Sequence, residues 1–210
     1  MTASPAGRTR RVTIFDYGAG NLHSLAKALA GPEIEIRIET DPAEALDTEL
    51  LVLPGVGAFT RGAERLESAR DAMRNALEHG LPCLGVCLGM QLLFDGSDEG
   101  PGAGLGLLPG RVTRLGAARL PHIGWNTVTD GTDPLLREVH LRDTYYAHSF
   151  ACRPESTDVV TAWTVVEGDR FPAIVRWHNT VGVQFHPEKS SAAGVRFVRA
   201  VVGAALGARI

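Results

Sequence analysis

Cys83-Leu84-Gly85-Val86-Cys87-Leu88-Gly89-Met90-Gln91-Leu92-Leu93-Phe94 is the stretch that decides how this chain folds. Residues 83–86 are apolar and bounded by Pro82 before and a glycine-flanked cysteine after, as a short buried strand is. Leu88–Phe94 then has the composition of a helix opening. Cys87 therefore sits on a sharp strand-to-helix turn. The pattern is G-x-C-x-G, the nucleophile-elbow spacing with cysteine in place of serine. The spacing has a steric cause: side chains two residues either side of so tight a turn would collide, and glycine at 85 and 89 removes the collision. A thiol placed at the start of a helix meets its dipole and free N–H groups, which favour a thiolate. The Leu88 N–H would point to the same place and could stabilise an oxyanion. Cys83 and Cys152 lack such flanks and read as buried structural cysteines.

The strand–loop–helix unit recurs upstream. Val12–Asp16 reads as a strand followed by Gly18-Ala19-Gly20, and Asn21–Ala30 carries Leu22, Leu25, Ala26 and Leu29 at helical spacing. Ile34, Ile36 and Ile38 alternate as in a strand. Leu50–Leu53 is a short apolar run ending at Pro54-Gly55-Val56-Gly57, and a helix is predicted from about Arg61 to His79. This repetition argues for an α/β fold: a single-domain, open, mostly parallel sheet with helices on both faces. Residues 95–110, with six glycines and two prolines, read as a surface loop. They lack the lysine and following Ser/Thr of a phosphate-binding P-loop. In the second half, Tyr145–Ala151, Thr161–Val166, Phe171–Trp177 and Val181–Phe185 read as hairpin-connected, antiparallel additions, and Ser190–Leu206 as a closing helix with Val195, Val198 and Val202 on one face. Residues 1–10 are basic, free of acid and without an apolar segment, so they are expected to be a disordered tail before one domain over 11–210.

Composition narrows the function classes. With 24 acidic against 21 basic residues the net charge is −3, and no nucleic-acid partner is expected. The longest nearly unbroken apolar stretch, Leu81–Phe94, is too short and too interrupted for a bilayer, so no membrane association is expected. Three cysteines make no disulfide framework, and a reducing, cytoplasmic setting is expected.

A nucleophile needs a base, and Gln184-Phe185-His186-Pro187-Glu188 offers one. In extended chain, residues two apart face one side, so His186 and Glu188 can approach the same site, with Pro187 keeping the backbone extended. His186 would take the thiol proton and return it to the leaving amine, and Glu188 would accept the other ring N–H and set the tautomer. His122, His148 and His178 are alternative bases, but none has an acid two residues away on a strand. Pro54-Gly55-Val56-Gly57 follows a strand whose C-terminal loop would gather at the same sheet edge, where its glycines let the backbone approach a ligand or aim an N–H inward.

Gly85-Val86-Cys87-Leu88-Gly89-Met90-Gln91 together with His186-Pro187-Glu188 resembles the class I glutamine amidotransferases, over about Val12 to Val202. Tyr17-Gly18-Ala19-Gly20-Asn21, Pro121-His122-Ile123-Gly124-Trp125-Asn126, Tyr145-Tyr146-Ala147-His148-Ser149-Phe150 and His186-Pro187-Glu188-Lys189-Ser190 look most like the glutaminase subunits of imidazole glycerol phosphate synthases. The resemblance implies a flavodoxin-like fold and hydrolysis of L-glutamine to glutamate and ammonia by Cys87, His186 and Glu188. It implies no cofactor and no metal. It places Val56 and Gly57, with Leu88, around the oxyanion. Gly55, Gln91, Ser149 and Phe150 would bind glutamine. The ammonia would pass to a (β/α)8-barrel cyclase subunit in a heterodimer, which makes imidazole glycerol phosphate and an aminoimidazole carboxamide ribotide in histidine biosynthesis. Asn21, Trp125 and Lys189 would face that partner.

Other readings stay open on the residues alone. The triad does not separate this subunit from the glutaminases of pyridoxal phosphate, GMP or anthranilate synthesis, nor from a stand-alone cysteine hydrolase. Gly18-Ala19-Gly20 after a strand also suits a dinucleotide-binding oxidoreductase, but His23 stands where the third glycine belongs.

Overall fold

The computed structural model describes residues 9–18 and 22–207. The first half alternates as the sequence predicts. Strand β1 (Arg10–Phe15) leads to α1 (Leu22–Leu29), β2 (Ile34–Glu39) and β3 (Leu50–Leu53). Then come α2 (Phe59–Leu66), α3 (Arg70–Glu78), β4 (Cys83–Val86) and the single turn α4 (Leu88–Gln91). Next follow β5 (Phe94–Ser97), β6 (Leu108–Arg114), β7 (His122–Thr127), α5 (Pro134–Val139), β8 (Asp143–His148) and β9 (Phe150–Pro154). The chain closes with β10 (Val160–Val166), β11 (Asp169–Trp177), β12 (Thr180–Val183) and α6 (Ser191–Leu206). Of the tail expected over 1–10, Arg10 begins β1, and residues 1–8 lie outside the described residues.

The main sheet has the order β10-β11-β12-β4-β3-β1-β2. β1, β2, β3, β4 and β12 are parallel, and β11 runs against its neighbours. β3, β4 and β12 are buried at every position, as the inner strands of a sheet covered on both faces must be. Alternation sorts their side chains into two cores. Leu50 and Val52 pack with Val12, Ile14 and the apolar face of α6, while Leu51 and Leu53 pack with Phe15, Met73 and Leu77. Each such fully buried side chain contributes roughly 1.5–3 kcal/mol. The chain places β2 on one side of β1 and β3 on the other, so the loops after β1 and β3 diverge. That is where an open parallel sheet forms its crevice.

Several expectations need correction. The helix expected over Leu88–Phe94 ends at Gln91, because the chain turns into β5. The surface loop expected over 95–110 is not one. Its ends belong to β5 and β6, and its middle returns onto the preceding backbone, with Leu105 N donating to Leu92 O at 2.7 Å and Leu107 N to Leu93 O at 2.9 Å. Glycine serves close approach here: a Cβ at Gly104 would lie 2.0 Å from the Phe94 carbonyl oxygen. The helix expected from Arg61 to His79 is α2 and α3 with a 3-10 turn, Glu67–Ala69, between them. The strand expected over Tyr145–Ala151 is two. β8 pairs with β7, β9 pairs with β6, and the break falls at Ser149. Neither is joined by a hairpin to β10, β11 and β12. Trp125 lies on the paired strand β7.

Candidate active site

Cys87 joins β4 to α4 with φ 48° and ψ −102°, a backbone conformation that non-glycine residues avoid. Its own N–H is anchored to Val183 O at 2.7 Å, which ties the elbow to β12. The flanking glycines are required by contact. A Cβ at Gly89 would lie 2.0 Å from Leu53 O, and one at Gly85 would lie 2.8 Å from the Gly89 carbonyl carbon and oxygen. With only four residues in α4, little helix dipole acts on the sulfur, and the charged neighbour is His186.

His186 follows β12 and is buried. Its Nδ1–H donates to Glu188 Oε1 at 2.9 Å, which leaves Nε2 for the sulfur. Burial pushes the imidazole pKa down, but the charge of Cys87, a hydrogen bond to it, and the hydrogen bond and charge of Glu188 push it up to about 10. The ring is therefore a proton holder between an acceptor and a carboxylate. A 3-10 turn over Pro187–Lys189 brings Glu188 back beneath the ring, instead of the straight extended chain the spacing suggested. Ser190 locks that turn, its hydroxyl donating to His186 O at 2.7 Å.

His148 is no rival base. Its Nδ1 lies 2.8 Å from Phe150 O, a carbonyl that only accepts, so Nδ1 carries the proton. Its Nε2 then accepts from His122 Nδ1 at 3.2 Å, and His122 Nε2 accepts from Asn126 Nδ2 at 3.3 Å. Burial, reinforced by the charges of His122 and His186, lowers the His148 pKa to about 3, so the ring stays neutral. His178 lies at the other edge of the sheet, beside Arg176 and Asn179.

A cavity of about 270 Å³ opens above the elbow. Gly55, Val56, Gly57, Cys87, Leu88 and Gln91 line it. Ser149, Phe150, His186 and Lys189 line it too. Gly55 is wedged there, since a Cβ would stand 3.0 Å from Val86 and 3.1 Å from His186 Cε1. Gly57 has φ +129°, which a side chain would strain. As first residue of α4, Leu88 has its N–H outside the helix ladder. Gln91 reaches under the cavity, its Nε2 donating to Phe150 O at 2.9 Å. Glu188 lies behind His186 and does not line the cavity. Among the described residues no group of three or more His, Cys, Asp or Glu could hold a metal ion.

Of the three residues expected at a partner surface, Asn21 lies outside the described residues. Lys189 stands at the cavity mouth. Trp125 is on β7 and 56% exposed, beside Ile123 at 62%. Tyr145 stands opposite Trp125 in the register, their ring centroids 6.3 Å apart, and Lys189 Nζ is 6.0 Å from the Tyr145 ring.

Four residues escaped the sequence reading of the site. Glu99 lines the cavity. Tyr145 joins the exposed rim. Tyr17, buried, donates its hydroxyl to Pro54 O at the start of the glycine loop. Gln184, fully buried, directs Nε2 at Cys87 Sγ over 3.5 Å. Only Gln184 had a usable signal: it stands two residues before His186 in a run that reads as extended chain, where residues two apart face one side.

Comparison with known proteins places the chain in a family. The family described as glutamine amidotransferase class-I matches residues 13–200. The chain is 40% identical over 208 residues to imidazole glycerol phosphate synthase subunit HisH of Halobacterium salinarum, covering 94% of this chain and 95% of that one. It is 41% identical over 197 residues to the chloroplastic imidazole glycerol phosphate synthase hisHF of Arabidopsis thaliana, covering 90% of this chain but 33% of that longer one. Among solved structures, that of PurLQS from Thermotoga maritima superimposes with a TM-score of 0.73 at 21% identity, over 95% of this chain and 98% of the other, which speaks to the fold.

Proposed function

The chain belongs to the class I glutamine amidotransferase family, and from that premise we propose that it is the glutaminase subunit of an imidazole glycerol phosphate synthase in histidine biosynthesis. The observation that carries the chemistry is the Cys87–His186–Glu188 arrangement, in which Cys87 and His186 line one cavity, Glu188 stands behind the ring, and His186 is held between sulfur and carboxylate. The pathway reading draws on relatives about 40% identical over nearly their whole length.

In this reading Cys87 Sγ, as thiolate, attacks the side-chain carbonyl carbon of L-glutamine. The oxyanion forms beside the Leu88 N–H and the backbone of Val56 and Gly57, where fixed donors act without reorganisation. His186 delivers its proton to the amide nitrogen, the C–N bond breaks, and ammonia leaves a thioester on Cys87. His186 then takes a proton from water, whose hydroxide displaces glutamate and restores the thiolate. Gly55 gives close backbone approach, and Gln91 with the backbone of Ser149 and Phe150 holds the substrate. Glu99, the one carboxylate among the lining residues, suits the α-ammonium group.

Ammonia is useful only if it is captured. The subunit names of the relatives imply a partner subunit, and the Arabidopsis relative carries the matched segment as a third of a longer chain. We assign the partner as a (β/α)8-barrel cyclase, docked as a heterodimer over Trp125 and Lys189 at the cavity mouth. The whole of 11–210 would be one glutaminase domain. The three buried free thiols suit a reducing cytoplasm, and among the described residues no helix is long and apolar enough to cross a membrane. The test is glutamine hydrolysis with and without the cyclase and its ligand. Hydrolysis that rises in the complex supports the reading. Hydrolysis equally fast alone would favour a stand-alone hydrolase.

A further inference from the structure

Gln184 is buried completely between the nucleophile and Gln91, and nothing in the triad scheme uses it. Its backbone is tied to β11 just past the end of β12, Gln184 N donating to Ala173 O at 2.9 Å, so a leucine or methionine could fill the same place without burying an amide. The direction of that amide follows from its surroundings. Gln91 Nε2 lies 2.9 Å from Phe150 O, and a carbonyl can only accept, so the Gln91 end facing it is the NH2. The same NH2 lies 3.3 Å from the near end of Gln184, which must therefore be its oxygen. The far end, the NH2 of Gln184, is then left to face Cys87 Sγ at 3.5 Å. Turned the other way, Gln184 would set NH2 against NH2 and an oxygen against the sulfur.

We propose that Gln184 is a positioning residue that donates a hydrogen bond to the Cys87 thiolate, and that the Phe150 carbonyl, acting through Gln91, fixes the orientation in which it does so. A hydrogen bond to the charged form favours that form. The chain Phe150 O–Gln91–Gln184–Cys87 also joins the substrate side of the cavity to the nucleophile. With both Gln91 N–H groups used inside it, Gln91 Oε1 is the end free to accept from a bound amide. This inference rests on the glutaminase reading for its role in turnover, but not for its effect on the sulfur.

The test is the pH dependence of Cys87 alkylation by iodoacetamide in the full chain, wild type against Gln184→Met and Gln184→Glu, beside kcat and KM for glutamine. Loss of one hydrogen bond to a charged group should move the midpoint of the alkylation curve of Gln184→Met upward by about one pH unit. Turnover at neutral pH should fall about tenfold, with KM changed far less. Gln184→Glu, which sets a carboxylate against the sulfur, should move the curve further. Unchanged curves in folded variants would overturn the proposal. Should either variant fail to fold, the wild-type chain decides. The Gln184 side-chain 15NH2 signals should shift with pH across the alkylation range and stop doing so in Cys87→Ala, and signals that ignore the state of Cys87 would also overturn it. A chain that hydrolyses no glutamine yet keeps these effects would sink the glutaminase reading alone.

Discussion

The main-chain N–H of His186 donates to the carbonyl of Tyr145 over 2.8 Å, and Ser190 closes the clamp, accepting from Tyr145 N at 2.9 Å while donating to His186 O at 2.7 Å. Tyr145 pairs in turn with Trp125 across β7 and β8. The proton-holding histidine thus hangs on the strand pair whose outer face exposes Trp125 and Ile123.

If that face is the docking surface, Trp125→Ala should weaken binding to the cyclase by about 2 kcal/mol or more, as central interface tryptophans do. Lys189→Ala should reduce stimulation of glutamine hydrolysis by the cyclase ligand. Both variants should melt like the parent, because Trp125 packs on no core. Titration calorimetry and coupled assays check this. Parental binding and full stimulation in both variants would put the partner elsewhere.

His186→Ala should cost about 10²–10⁴-fold in glutamine turnover, the range for loss of a general acid–base. Glu188→Gln should cost less, since Glu188 orients the ring through Nδ1 while His186 makes both proton transfers. Steady-state rates of the two variants decide, and an equal or larger loss at Glu188 in a folded chain would contradict the assigned roles.

His148 should make the protein acid-sensitive. Its folded pKa of about 3 lies below the ordinary 6.5, so between these values the unfolded chain binds the extra proton. Its contribution is present in full above pH 6.5 and is lost as pH falls towards 3, amounting to a few kcal/mol. Urea titrations from pH 7 to 4 should show a flatter stability–pH slope in His148→Gln. Identical slopes would mean that the ring is solvated.

Gly89→Ala should destabilise by about 3 kcal/mol or more, because its Cβ would overlap a main-chain oxygen that β3 cannot withdraw. Gly116→Ala, whose Cβ would meet nothing nearer than 3.5 Å, should stay within about 0.5 kcal/mol. Chemical denaturation midpoints measure both.

The parallel half of the fold was legible because Leu50–Leu53 and Cys83–Val86 are buried on both faces and read as unbroken apolar runs. The elbow was legible because its glycines answer to sterics within a few residues. Where the sequence misled, the cause was non-local. Leu88–Phe94 is helical by composition, but Phe94 pairs with Leu108, and the glycines of 95–110 serve close backbone packing that no local pattern reveals. Ser149 breaks a convincing strand because β8 and β9 have different partners. Gln184 stands two residues before His186, so period two puts it on the sulfur's side, whereas Glu188 reaches the ring through a 3-10 turn that period two does not describe.

The most direct test of the central claim is a two-substrate assay of Cys87→Ala in complex with the cyclase. Only the making of ammonia requires the thiol, and its use belongs to the partner. With glutamine as nitrogen donor, synthesis should fall to background, while with added ammonium salt it should match the parental complex. Glutamine-dependent synthesis persisting in a clean Cys87→Ala preparation would contradict the account.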